Sequence, residues 1–462
     1  MYSNMEMKPQ LPGLLFLFCL FLLVSMISAV ATSNLIARKV MSSTWDHVIQ
    51  AEIENAALVW PDSLAKTLDY VPDSACSVGP RDLAALQPDR PRHVRALYAT
   101  GWTAGHGSRM KELVGLVCET ELNSIVIEIK DDLGEISYVS GVSLAASIGA
   151  SVRKIGDLER MLEELHGSGV YPIARLVVFK DPHLAAARPD LAICDSSGKP
   201  WRDGRGMTWT DPRKREVWQY NLAIAREAAR AGFREIQFDY VRFPDDARLT
   251  MTSNGAGMEG KDRVDAIVDF LAYARQELEP YKVVVTADVF GLVCSSRSDM
   301  GIGQILEDMA VHVDYVAPMV YPSHYRKGEY GIENPNAAPG ATVSRSLSDA
   351  QARLAQVQSG ARIIPWLQDF SLGHTYTARE VRAQIEAAYE CDIYEFMLWN
   401  PRNVYTMGAL GGPDPEDACR PKPQLGPFPE DVALLLEGPE STSRREALSF
   451  PYRLDALSLE GL

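Results

Sequence analysis

The stretch GFREIQFDYVRFPDD, residues 232–246, carries an acid, Asp239, in the middle of an apolar run of strand composition. Side chains alternate along a strand, so Gln237, Asp239 and Val241 share one face and Ile236, Phe238 and Tyr240 the other. A buried carboxylate is costly unless it has a partner or a chemical task. The stretch therefore reads as a strand with one face against helices and the other turned toward a polar site.

The same kind of run recurs eight times from Val94 onward: 94–102, 124–130, 171–179, 235–241, 282–290, 315–321, 362–370 and 393–399. Amphipathic segments of helical period separate most of them, at 108–122, 155–169, 211–233, 262–279, 344–358 and 378–390. In the third segment Asp211 is placed to cap, Pro212 to open and Gly232 to end a helix. Eight strand-helix units over residues 93–403 predict an α/β fold of the (β/α)8 barrel type. An open doubly wound sheet is the runner-up, but the first turn, GWTAGHGS, lacks the dinucleotide fingerprint.

Flanking segments read differently. Residues 11–31, LPGLLFLFCLFLLVSMISAVA, are uncharged and apolar, follow Lys8 and end in a small-x-small triplet, as in a secretory signal peptide or an N-terminal membrane anchor. Arg38 and Lys39 beyond the run leave cleavage and retention both open. Residues 32–92 are rich in proline with no long period and read as a linker or packing extension, and 404–462 as a Pro/Gly-rich tail. Export is the expectation, with the membrane met only through an uncleaved leader. Of seven cysteines, six lie beyond the leader and none forms CxxC, so disulfides are permitted but no pairing is selected. A net charge of -15 argues against a nucleic-acid partner.

In this architecture the chemistry sits at the C-terminal ends of the strands. Glu128, Lys130, Arg175, Gln237, Asp239 and Asp288 fall on alternate positions that point inward if their apolar neighbours face the helices. Asp369 follows the seventh run, where capping a turn is an equally natural use. Inward acids and cations can equally form an ion-pair network that fills the upper barrel. Two carboxyl groups flanking a bond are what glycoside hydrolysis requires, one protonated and one ionised. Rings that stack on sugar C–H faces are the second ingredient. Trp102, Trp201, Trp209, Tyr240, Tyr321, Tyr325, Trp366 and Trp399 lie at or after strand ends, and Trp201 and Trp209, in the polar loop after the third strand, are the expected cleft residues. The histidines are dispersed with no HxH or HExxH, and no GxSxG occurs, so neither a metal site nor a cofactor nor a serine nucleophile is expected.

EIQFDYVRFP, together with VIEIKDDLGEI, ARLVVFKDPHLA, ADVFG, APMVYPSHY and IIPWLQDF, resembles a bacterial family described as a "putative glycosyl hydrolase domain", TIM barrels of the wider amylase-like glycosidase group. The likeness runs from about Val94 to Pro401. It implies hydrolysis or binding of an extracellular or cell-envelope polysaccharide. In that group an Asp ending the fourth strand is the nucleophile, a Glu ending the fifth the acid/base, and an Asp after the seventh assists. Asp239 and Asp369 match the first and third, Asp288 stands in place of the Glu, and Gln237 stands where the group has an arginine.

The expectation is therefore a glycosidase with Asp239 as nucleophile or base and Asp288 as acid, Asp369 and Glu128 in reserve. Lys130, Arg175, Gln237, Arg242, Tyr321, Trp201, Trp209 and Trp399 are expected to bind substrate. The alternative is a non-catalytic barrel that binds glycan or scaffolds the envelope through the same cleft.

Overall fold

The computed structural model describes residues 90–195, 197–245, 260–357 and 359–416. The leader at 1–31, nearly all of the 32–92 extension and the tail beyond 416 lie outside the described residues. So do Cys19, Cys76 and Cys419; Cys118, Cys194, Cys294 and Cys391 are free thiols. No helix among the described residues is long and apolar enough to cross a membrane.

The apolar runs form short parallel strands: β1 Arg95–Ala99, β2 Ser124–Lys130, β3 Tyr171–Val177, β4 Glu235–Asp239, β5 Val284–Phe290, β6 Tyr315–Met319, β7 Arg362–Ile363, β8 Trp366–Gln368 and β9 Phe396–Trp399. Their order is β5-β4-β3-β2-β1-β9-β8-β6-β7, with β5 also pairing β6. β6 pairs β7 at its start and β8 at its end, so β7 and β8 are two halves of one barrel position. The single run expected at 362–370 breaks there at Pro365, which has no N–H to give to a ladder. Pairing of Asp288 with Ala317 and its neighbours closes the circle. The result is a closed (β/α)8 barrel, as the unit count predicts.

Among the described residues, six longer helices surround it: α1 Gly107–Glu119, α2 Leu158–Gly167, α3 Arg215–Ala231, α4 Gly260–Leu278, α5 Pro339–Leu354 and α6 Ala378–Glu390. Asp157 caps α2 through the Arg160 N–H, and Thr377 with Glu380 forms a capping box on α6. Gly232 ends α3 at φ 122°, as expected, but α3 opens at Arg215 and Asp211 instead caps the turn ahead of it through the Arg213 N–H. Between β5 and β6 only the short 3₁₀ helix Gly291–Cys294 and the five-residue α-helix Leu306–Ala310 occur.

Alternation along each strand divides the interior in two. Outward residues such as Ile127, Leu176, Ile236, Phe238 and Ala287 pack with the helices. Phe238 meets Phe270 of α4 edge-on, ring centroids 5.4 Å apart. Each such ring contributes on the order of 2–3 kcal/mol by leaving water. Inward residues Ala96, Tyr98, Val126, Ile173, Val284, Tyr315, Ala317, Trp366 and Met397 fill the lumen.

The lumen floor is closed by Arg90. Its guanidinium lies 3.0 Å from Glu395 and 3.6 Å from Glu235 and sits over the Tyr315 ring at 4.6 Å. Burial opposes the Arg90 charge, but the two carboxylates hold it protonated.

Candidate functional site

The polar site is built at the upper end of the lumen from β1 to β9. Register fixes who meets whom. Glu128 of β2 pairs Arg175 of β3, and Arg175 pairs Gln237 of β4, so three inward side chains stand level on consecutive strands. Arg175 reaches across both neighbours. Its Nη1 donates to Glu128 Oε2 at 2.6 Å, its Nε donates to Asp239 Oδ2 at 2.9 Å, and its Nη2 donates to the same oxygen. The Tyr98 hydroxyl donates to Glu128 Oε2 at 2.6 Å. Burial opposes the guanidinium's charge, yet Asp239, Tyr98 and Glu128 around it leave its pKa well above the ordinary arginine value.

A sequence comparison alone leaves a gap where an arginine is expected at position 237. The structure fills it from the next strand: the guanidinium beside Asp239 belongs to Arg175, the register partner of Gln237. Gln237 is freed to turn toward β5. Its Nε2 donates to Asp288 Oδ1 at 2.7 Å, and Trp366 Nε1 donates to the same oxygen at 2.9 Å. The other oxygen, Asp288 Oδ2, is buried with no hydrogen-bond partner, as is Gln237 Oε1.

These environments separate the acids. Asp288 is 1% exposed; burial first, and the Asp239 charge second, push its carboxyl well above the usual carboxylate range. Asp239 instead has a full cationic partner and also accepts the Tyr240 N–H at 2.5 Å. Burial raises Glu128 too, against the pull of Arg175 and the Tyr98 hydroxyl. A carboxyl whose pKa is raised by burial, beside one held in an ion pair, is an arrangement that can serve acid/base chemistry.

Aromatic rings wall the site. Trp399 stacks on Tyr98 with centroids 4.1 Å apart and meets Trp366 edge-on at 5.5 Å, and Arg175 lies 5.2 Å from the Trp399 ring. Tyr321 is buried beside Asp288 and Asp239; burial and those two acids raise its hydroxyl well above the ordinary tyrosine range. At the rim Tyr240 takes the left-handed φ of 49°, rare for a bulky residue, directly after Asp239. Its ring lies 4.8 Å from Lys180 Nζ and 5.1 Å from the Arg242 guanidinium.

Four expected residues, Lys130, Asp369, Trp201 and Trp209, stand elsewhere. Lys130 does not point into the lumen. The register slips between Glu128 and Lys130, leaving Ile129 as the extra residue of a bulge, and the slip turns Lys130 to the helix side at the level of Leu176. There it is fully buried, 2.8 Å from Asp181 Oδ2 and 2.8 Å from the Val177 carbonyl oxygen. Asp369 turns to the segment after β9, accepting the Thr406 N–H at 2.8 Å and the Thr406 hydroxyl at 2.6 Å. Trp201 and Trp209 do not line an open cleft: they are 7% and 3% exposed and pack in the outer core, Trp209 against Tyr240. Arg242 lies over the Trp209 ring at 5.2 Å and donates to the Phe243 carbonyl oxygen.

Two site residues escaped the sequence reading in their actual roles. Tyr98 follows Val94 and Ala96 in strict alternation on β1, so its inward direction was available from period alone. Trp366 stands out as an aromatic, but its donation to Asp288 depends on the broken β7/β8 position. Among the described residues no group of three or more His, Cys, Asp or Glu side chains converges as a metal site.

Comparison with known proteins places the chain in a family. The model of the family described as "Putative glycosyl hydrolase domain" matches residues 96–405, and the chain belongs to that family. A hypothetical protein from Ruminiclostridium thermocellum is 41% identical over 42% of this chain and 97% of its own, with a TM-score of 0.38. The PgaB (BpsB) glycoside hydrolase domain from Bordetella bronchiseptica is 15% identical over 68% of this chain and 95% of its own, with a TM-score of 0.51, a likeness of fold. No curated protein matches the chain.

Proposed function

We propose that the chain is a glycoside hydrolase acting on an extracellular or cell-envelope polysaccharide, with Asp288 as general acid and Asp239 as nucleophile or base. The observation that carries the reading is the contrast between the two acids. Asp288 is buried, its carboxyl is pushed well above the usual carboxylate range and one of its oxygens has no protein partner, while Asp239 is ion-paired to Arg175. Membership of the glycosyl hydrolase family supports the reaction class. The apolar run at 11–31 supports a substrate outside the cytoplasm.

In this reading the Asp288 Oδ2–H gives its proton to the glycosidic oxygen as the bond from that oxygen to the anomeric carbon breaks. Asp239 supplies an electron pair to the same carbon, directly or through a water whose proton it takes. If the attack is direct, water later cleaves the glycosyl ester and returns a proton to Asp288. Arg175 holds Asp239 in place through two N–H groups, and exclusion of water strengthens both interactions. The Tyr98–Trp399 stack supplies an apolar wall for a sugar ring, Tyr321 and Arg242 flank the entrance, and Glu128 is the reserve acid. Two bonds to Thr406 support a positioning role for Asp369.

One observation favours the second reading, a glycan-binding barrel without turnover: Arg175 clamps both Glu128 and Asp239, as a structural network does. The test is a screen of the purified protein and Asp239→Asn against bacterial envelope and exopolysaccharide glycans, following reducing ends and binding together. Release by the native protein alone supports the glycosidase. Binding by both without release by either selects the second reading.

A further inference from the structure

Two N–H donors from different strands converge on a single oxygen of Asp288. Gln237 Nε2 arrives from β4 at 2.7 Å and Trp366 Nε1 from β8 at 2.9 Å, both on Oδ1. The indole N–H can only donate, and an amide nitrogen likewise only donates. An oxygen that accepts both has no room for a proton directed at them. Oδ2, by contrast, is buried and has no partner.

We propose that Trp366 and Gln237 are positioning residues that confine the Asp288 proton to Oδ2 and aim it at the ligand. The inference rests on the reading of Asp288 as the proton donor and names what makes it one. With Oδ1 serving as the carbonyl oxygen of the neutral acid, Oδ2–H is the group left to hydrogen-bond whatever enters the lumen. The two donors also stabilise the ionised form, so they oppose burial and keep the acid able to give its proton up. The ionisable groups that face Asp288 are Asp239 from β4, Arg175 from β3 and Tyr321 from the turn after β6. None of these hydrogen-bonds Oδ1, so proton placement falls to the two neutral donors.

A carbonyl that loses a donor stretches at higher frequency, which gives a readout independent of turnover. The experiment is infrared difference spectroscopy of the full chain, native minus Asp288→Asn, which isolates the protonated Asp288 carbonyl band. It is repeated on the Trp366→Phe and Gln237→Met backgrounds, each paired with its own Asp288→Asn control. The expected result is a band in the native protein that moves up in each variant. Trp366→Phe keeps a ring in the core, and if it does not fold, Gln237→Met carries the test alone. A band that stays in place in the variants, or moves down, overturns the inference, and so does the absence of any protonated Asp288 band at neutral pH. Failure of the glycan screen with the expected band shifts present would instead strike only the glycosidase reading.

Discussion

Arg175 and Asp239 are joined across adjacent strands by two N–H groups of one guanidinium, Nε and Nη2, that both donate to Asp239 Oδ2. The pair is almost wholly buried, with side chains 5% and 6% exposed. It gives Asp239 an ionic partner that it shares with Glu128, while leaving Oδ1 to the Tyr240 N–H.

Asp239→Asn keeps the size of the side chain but removes the charge. The expected loss of turnover is on the order of a thousandfold or more. Stability should fall as well, because breaking a buried pair leaves an uncompensated charge at a cost of about 3–5 kcal/mol. The retained bond from Arg175 to Glu128 places the expectation at the lower end. Urea unfolding and glycan release check the two parts, and full activity in a folded variant would remove Asp239 from the chemistry.

Asp288→Asn mimics the neutral acid, and its amide oxygen can still accept from Gln237 and Trp366. Activity should drop by about 10²–10⁴-fold, the usual share of a general acid. Stability should behave in the opposite way. The folded Asp288 holds its proton well above the ordinary value near 3.9, so stability from this group is present below that pH and is lost as pH rises through the folded value. The asparagine has no proton to lose. The melting temperature of the variant should therefore gain on the native protein as pH rises above the ordinary carboxylate value, and a difference independent of pH would contradict the assignment.

The two acids stand level on neighbouring strands, one step past the Phe238↔Ala287 pair. Direct attack by Asp239 calls for the roughly 5–5.5 Å carboxyl separation of retaining enzymes, which side chains from strands about 4.8 Å apart at the backbone can reach, whereas attack through water calls for roughly 6.5–9.5 Å. The released sugar should keep its anomeric configuration, as followed by proton NMR before mutarotation. An inverted product would make Asp239 a base acting through water.

Lys130→Met tests the correction at the bulge. Lys130 and Asp181 are both 0% exposed and paired at 2.8 Å, and Asp181 also caps the helix Pro182–Ala187. The variant should lose about 3–5 kcal/mol of stability. Its folded fraction should bind glycan with unchanged affinity, measured by calorimetry. A folded, stable variant that no longer binds would return Lys130 to the site.

Asp369→Ala should act through the segment it holds. It removes both bonds to Thr406, worth about 1–3 kcal/mol when a buried acceptor is lost. Turnover should fall by less than about tenfold, against the thousandfold expected at Asp239. A loss as large as that at Asp239, in a protein of native stability, would place Asp369 in the reaction itself.

Much of this was open to a reader of the sequence. Apolar runs of period two alternating with segments of period 3.6 predict eight units and a closed barrel, because that repeat must bury one strand face on helices and the other in a lumen. Strand alternation also settles the inward direction of Glu128, Arg175, Gln237, Asp239 and Asp288, since it is a local property of the chain. Three things waited for the tertiary structure. One bulged residue, Ile129, reverses the side on which Lys130 emerges, and a slip of that kind leaves no mark in composition. Trp201 and Trp209 look like cleft residues in a polar loop until packing buries them. Above all, the arginine missing beside Asp239 arrives as Arg175 from the neighbouring strand, and burial and the charge of Asp239 push the Asp288 carboxyl well above the usual range. Periodicity is written along the chain, but register, desolvation and the field of neighbouring charges arise only between segments far apart in it.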